Sequence, residues 1–125
     1  AEFTEFTLNF CNHTHYDLIH ANFWMSGLVA AEIKKALQIP FIITFHALGR
    51  VRRFYQGAAD DFPDERFTIE DRIVAEADRI IAECPQDETD LIQLYNADRN
   101  KISIIPCGFD PSEFWSLNKS LARVA

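Results

Sequence analysis

The sequence predicts an α/β fold in which about four parallel strands alternate with helices, as in half of a doubly wound sheet, and three observations carry that prediction. Short runs rich in β-branched and aromatic residues recur along the chain. Longer segments between them place apolar residues three and four apart. The resulting order, helix then strand throughout, is that of parallel strands joined by crossovers.

Residues 2–12, EFTEFTLNFCN, bring Phe3, Phe6, Leu8 and Phe10 close to helical spacing, although so short a stretch also fits alternation; a helix is expected. After the polar break HTHY, residues 17–20 (DLIH) form an apolar run ending in polar residues, as a buried parallel strand does. Asn22 stands where it can cap the next segment. From Trp24 to Leu37, Met25, Leu28, Val29, Ile33, Ala36 and Leu37 recur opposite Glu32, Lys34 and Lys35, the clearest helix in the chain. Pro40 precedes FIITF, the composition of an interior strand.

Residues 47–65 carry Gly49, Gly57, Pro63 and mixed charge without sustained periodicity, and predict a long loop. A helix over 67–77, a strand at RIIAE and a helix from Pro85 to Tyr95 with an acidic first turn follow. The last strand covers 101–105, and the turn-rich PCGFDPSEFW then reads as a boundary segment.

With 125 residues the chain holds one domain and a real core, and a two-domain enzyme is excluded. Apolar residues at 48% and charged ones at 25% give a globular balance. Twelve Lys and Arg against nineteen Asp and Glu leave a formal charge of −7, which argues against an electropositive face for nucleic acid. Cys11, Cys84 and Cys107 fit neither a zinc site nor a disulfide framework, so reduced thiols in a cytoplasm are expected. No apolar run reaches the ~18 residues of a membrane span, and no basic n-region precedes the first segment. The chain also lacks GxGxxG, Walker, HExxH and GxSxG signatures.

In doubly wound sheets ligands bind beyond the carboxyl ends of the strands. Three such ends stand out: His20 to Trp24, His46 to Arg53, and Glu83-Cys84-Pro85, all expected on one edge. His46 suits proton donation or a hydrogen bond to a substrate hydroxyl, or alternatively a structural hydrogen bond at the strand end. His20 has the same two readings, the structural one being stronger. Arg50, Arg52 and Arg53 follow Gly49 and suit bidentate binding of a phosphate; the alternative is a solvated basic loop balanced by Asp60, Asp61, Asp64 and Glu65. Arg66 opens a helix where a cation opposes the dipole, and an anionic ligand is one reason for its charge.

The ordered set YDLIHANFW, IPFIITFHALGRVR, RFTIEDRIVAEADRIIAECPQDETDLIQLY and ISIIPCGFDPSEF, from about Tyr16 to Phe114, resembles the family-4 retaining glycosyltransferases of the GT-B fold. It is nearest in character to the sucrose-phosphate synthase and mycothiol-type members. The resemblance implies that residues 1–105 are the later part of a Rossmann-like N-terminal domain and that 106–125 are an interdomain linker. It implies retaining transfer of a hexose from a nucleoside diphosphate sugar to an acceptor hydroxyl, with no cofactor beyond that donor and no metal. The implied partners are a small-molecule sugar acceptor, the nucleotide sugar and a C-terminal donor-binding domain, with no nucleic acid and no integral membrane segment. The chain by itself is expected to be inactive.

Carried over by position, His46 matches the family histidine beside the donor sugar, with a role in transition-state positioning. Arg52 matches a basic residue near acceptor or phosphate, and Arg66 an arginine that contacts the phosphate of phosphorylated acceptors. Asn22, Phe23, Trp24, Gly49 and Arg50 complete the expected substrate-binding set. Phe23 replaces a tyrosine and Ala47 a hydroxyl residue of those members, and Asn22 the second histidine of an HxHYW motif. Each lost hydroxyl weakens a phosphate site by a fraction of the ~1.5–3 kcal/mol of a hydrogen bond to a charged group. Two other readings are a non-catalytic sugar or sugar-phosphate binding module and a structural fragment that associates through its sheet edge.

Overall fold

Pairing between apolar runs builds one parallel sheet in the order β1-β2-β3-β4, from β1 (Ile19–Asn22), β2 (Phe41–Thr44), β3 (Arg79–Ala82) and β4 (Ile102–Ile104). The structure, a computed structural model, describes residues 2–123. The helices are α1 (Glu2–His13), α2 (Phe23–Leu37), α3 (Gly49–Gln56), α4 (Glu65–Glu76), α5 (Pro85–Tyr95) and the short α6 (Lys119–Ala122). The expected alternation of strands and helices is present.

The middle strands β2 and β3 carry the apolar runs, and Phe41, Ile43 and Ile80 are fully buried, as strands covered on both faces require. α2 packs on β1 and β2 and against α4, while α5 packs on β3 and β4. Ala31 and Ile33 of α2, Ile73 of α4 and Leu91 of α5 close the core over the sheet. Each large side chain so buried contributes about 1.5–3 kcal/mol.

Three expectations need correction. The first strand is Ile19–Asn22 and not 17–20, because its register sets Ile19 opposite Phe41 and Asn22 opposite Thr44. Pairing with β2, not hydropathy, decides where it starts. Residues 47–65 are no loop: they contain α3 and a 3-10 turn at Gly57–Ala59. Of α3 only Gly49 is buried; Val51, Phe54 and Tyr55 lie at helical spacing, but Phe54 and Tyr55 are exposed, and polar contacts hold the helix. The 101–105 strand shrinks to Ile102–Ile104 behind a 3-10 turn at Arg99–Lys101. Asn22 occupies the N-cap position of α2, but its side chain makes no cap hydrogen bond. No helix among the described residues is long and apolar enough to cross a membrane.

At the sheet edge remote from the C-terminal strand ends, Asp78 joins three elements. Its Oδ1 accepts from Lys34 Nζ of α2 at 2.8 Å and its Oδ2 from the Phe41 amide at 2.9 Å, while its own amide donates to Phe41 O. Burial pushes the Asp78 carboxyl up, but the Lys34 and Phe41 hydrogen bonds outweigh it and hold the pKa below the ordinary carboxylate value. A depressed folded pKa gives stability that is present above the unfolded value of ~4 and lost as pH falls through the folded value. The thermal midpoint of the natural full-length chain is therefore expected to fall as pH drops below about 4, and Asp78→Asn to flatten that limb. The pair is half-exposed, so its share is no more than about 1 kcal/mol; an unchanged limb in the variant would remove Asp78 from the account.

Candidate functional site

Because the strands run parallel, their C-terminal residues arrive together on one edge, and there the polar side chains form a row. Asn22 at the end of β1 places Oδ1 2.9 Å from His46 Nε2, and His46 Nδ1 lies 2.9 Å from Glu83 Oε1 just after β3. Cys107, beyond β4, donates its thiol to the same Glu83 oxygen at 2.8 Å. The three strand ends picked out in the sequence do open on one edge. The Glu83 amide donates to Asp87 Oδ2 in the first turn of α5, which fixes the turn that presents the carboxylate.

Backbone strain marks the same place. His46 has φ 59° and Phe23 has φ 71°, both in the left-handed region that non-glycine residues seldom adopt. Such outliers cost about 1–3 kcal/mol each and persist where surrounding contacts over-determine them. The His46 side chain is 44% exposed and that of Glu83 23%, so the row faces solvent and can meet a ligand. A hydrogen bond from Cys107 lowers the Glu83 carboxyl pKa, burial opposes this, and His46 adds to the lowering. The Cys107 thiol is pushed up in return by Glu83. A cavity of about 160 Å³ lies behind His46, walled by Phe45, Val51, Glu83, Asp87 and Leu91. His20 hydrogen-bonds Thr44 Oγ1 through Nε2 at 2.9 Å, the structural role across β1 and β2.

Beneath the row, a buried ionic cluster holds the loop that carries His46. Arg66 and Glu70 lie one turn apart on α4 with side chains 1% and 0% exposed, and Arg66 Nε donates to Glu70 Oε1 at 2.7 Å. The Glu70 oxygens also accept the Gly49 amide at 3.0 and 3.1 Å and the Tyr95 hydroxyl at 2.5 Å. Arg66 Nη2 donates to Ala47 O, and the Arg50 amide to the Tyr95 oxygen. The carboxylate thus caps the start of α3 from another helix. A Cβ on Gly49 would sit 2.8 Å from Glu70 Oε2 and 2.9 Å from Arg66 Nε, so the close approach needs glycine. Burial, with Glu70 opposite, raises the Tyr95 pKa and keeps the phenol a donor.

These contacts relocate several residues expected to bind substrate. The Gly49 amide is engaged by Glu70. Arg50, Arg52 and Arg53 do not converge on an open anion site: Arg50 pairs with Asp71, Arg52 with Asp60, and Arg53 with Asp60 and Asp64. The balanced-loop alternative describes them, with Asp60 and Asp64 as partners; Asp71 was not foreseen. The counter-charge that the structure gives Arg66 is Glu70. Its guanidinium carbon lies 5.2, 5.8 and 4.6 Å from the ring centres of Phe23, Trp24 and Phe62. Two buried donors in this cage, Arg66 Nη1 and Trp24 Nε1, have no partner among the described residues. Glu70 and Tyr95 were not singled out from the sequence and Cys107 was read only as a reduced thiol, although the i,i+4 spacing of Arg66 and Glu70 was a visible signal for their pair.

Residues 4–113 match the family model described as Glycosyltransferase Family 4. D-inositol 3-phosphate glycosyltransferase 2 of Catenulispora acidiphila is 37% identical over 110 residues, 87% of this chain and 26% of that protein. D-inositol 3-phosphate glycosyltransferase of Salinispora tropica is 36% identical over 111 residues, 87% of this chain and 23% of that protein. The chain thus spans about a quarter of the length of these relatives. Among solved structures, sucrose-phosphate synthase from Thermosynechococcus elongatus superposes with a TM-score of 0.81 at 27% identity, covering 98% of this chain and 30% of that one. The segments that resembled family-4 enzymes fall within the matched residues, and the chain belongs to glycosyltransferase family 4.

Proposed function

We propose that this chain is the acceptor-side part of a retaining hexosyltransferase that moves a hexose from a nucleoside diphosphate sugar to an acceptor hydroxyl. Residues 1–105 are then the later part of its N-terminal Rossmann-like domain, and 106–125 lead toward a C-terminal donor-binding domain. The first residue of the one segment and the last two of the other lie outside the described residues. A cytoplasmic setting fits the three unpaired cysteines.

The observation that carries this reading is the half-exposed His46 at the carboxyl edge of the sheet, held between Asn22 and Glu83. Its Nε2 is the ring nitrogen on the side of exposed Asn22 and is placed to exchange that contact for a sugar hydroxyl. In that role His46 orients the donor hexose while positive charge develops on the sugar, and the gain is realised in the transition state. Arg66 supplies its unpartnered Nη1 to an anionic group of the acceptor, the only donor of the predicted phosphate set that is buried and unpaid by a carboxylate at that nitrogen.

The test uses the natural full-length protein with uridine, guanosine and adenosine diphosphate hexoses and with inositol or inositol 3-phosphate as acceptor. One donor is expected to give a product whose anomeric configuration, read by proton NMR, equals that of the donor, with faster transfer to the phosphorylated acceptor. The 125-residue chain alone is expected to transfer nothing. An inverted product would overturn retention, and transfer by the short chain would overturn the need for a second domain.

A further inference from the structure

The geometry points to Glu83 as the positioning residue of His46: its carboxylate keeps a proton on Nδ1 and so decides which ring nitrogen, Nε2, is offered to a ligand. The inference rests on the reading of His46 given above and extends it to a residue outside the predicted set.

Histidine has two ring nitrogens, and the one carrying the proton is set by the partner of the other. Here Nδ1 faces a carboxylate oxygen at 2.9 Å, and a carboxylate below its ordinary pKa is an acceptor only. Nδ1 must therefore be the donor. Nε2 faces the side-chain amide of Asn22 at 2.9 Å, and an amide can present either oxygen or NH2. With the oxygen inward the ring carries both protons; with NH2 inward Nε2 is unprotonated. In both cases Nδ1–H is fixed by Glu83, and only Nε2 has a partner that can adapt.

Glu83 is itself held from two further directions. Its amide is bound by Asp87 Oδ2 at 3.0 Å, and Oε1 receives the Cys107 thiol at 2.8 Å in addition to the imidazole. The carboxylate thus links the segment leaving β4 to the end of β2. His46 needs such a brace, because its backbone is in the left-handed region at φ 59° and its side chain is nearly half exposed. A ring on a strained backbone in contact with water rotates unless a strong acceptor fixes it, and a charge-assisted hydrogen bond is about twice as strong as a neutral one.

Two measurements on the natural full-length protein test the proposal. Nitrogen-15 spectra of labelled histidine, assigned to His46 by its loss in His46→Asn, are expected to show a protonated Nδ1; a ring protonated only at Nε2 would overturn it without any change to Glu83. In steady-state kinetics, Glu83→Ala is expected to lower kcat by about 10–100-fold with little change in KM, the range seen when the orienting partner of a functional histidine is removed. Glu83→Gln keeps an oxygen for Nδ1 and is expected to recover much of the loss. Wild-type kcat in Glu83→Ala would overturn the positioning role. If His46→Asn also keeps wild-type kcat, the reading of His46 fails; if His46→Asn is crippled while Glu83→Ala is not, the assignment of Glu83 alone fails.

Discussion

Glu70→Ala is expected to destabilise the domain by about 3–5 kcal/mol, the range for breaking a buried ion pair by removing one partner. The carboxylate is fully buried and serves Arg66, Tyr95 and the Gly49 amide together. Its loss strands the Arg66 cation, 1% exposed, in a cage of Phe23, Trp24 and Phe62 without its carboxylate partner. It also leaves the first amide of α3 without an acceptor, which by itself costs about 1–3 kcal/mol. Replacing both partners by apolar residues of similar volume, as in Arg66→Met with Glu70→Leu, is expected to cost much less than Glu70→Ala. Thermal and urea denaturation of the full-length protein compare the three. A Glu70→Ala cost within the ~0.5 kcal/mol of ordinary surface changes would show that the cluster does not hold this part of the fold. The same substitution frees Gly49, three positions after His46, so a stability loss without any loss of activity would separate the cluster from the site above it.

The parts that the sequence displayed were those set by local pattern. α2 shows its apolar face at helical spacing, and β2 and β3 show the unbroken apolar runs of strands buried on both sides. Asn22, His46 and Glu83 could be placed on one edge because each follows a strand in a parallel sheet. What stayed hidden depends on partners distant in sequence. α3 has only a short apolar face, Val51, Phe54 and Tyr55, the last two exposed, and its anchoring comes from elsewhere: Glu70 of another helix caps it and Asp71, Asp60 and Asp64 pair its arginines. The pairing of Arg66 with Glu70 stayed hidden because sequence alone does not show that both side chains are buried. Cys107 lies in a turn-rich segment whose path back to Glu83 is fixed only by the pairing of β4 with β3.

His46→Asn is expected to reduce kcat by about 100–1,000-fold, the cost of deleting one well-aimed transition-state hydrogen bond in a closed site. Asparagine is the informative replacement because it tolerates the left-handed region, whereas alanine would add backbone strain at φ 59° to the loss of the ring. Asparagine also keeps a polar group beside Asn22 and Glu83, so the row is shortened but not emptied. A contact formed mainly in the transition state lowers kcat and kcat/KM together, while a ground-state contact raises KM and leaves kcat. In the proposed role His46 orients a donor sugar whose bulk is held by other parts of the enzyme, so the first pattern is the expected one. Steady-state kinetics with the donor varied at saturating acceptor distinguish the patterns. A variant with wild-type kcat and a raised KM would make His46 a binding residue only, and the strain stored at Phe23 and His46 would then serve the shape of the edge and not the transfer step.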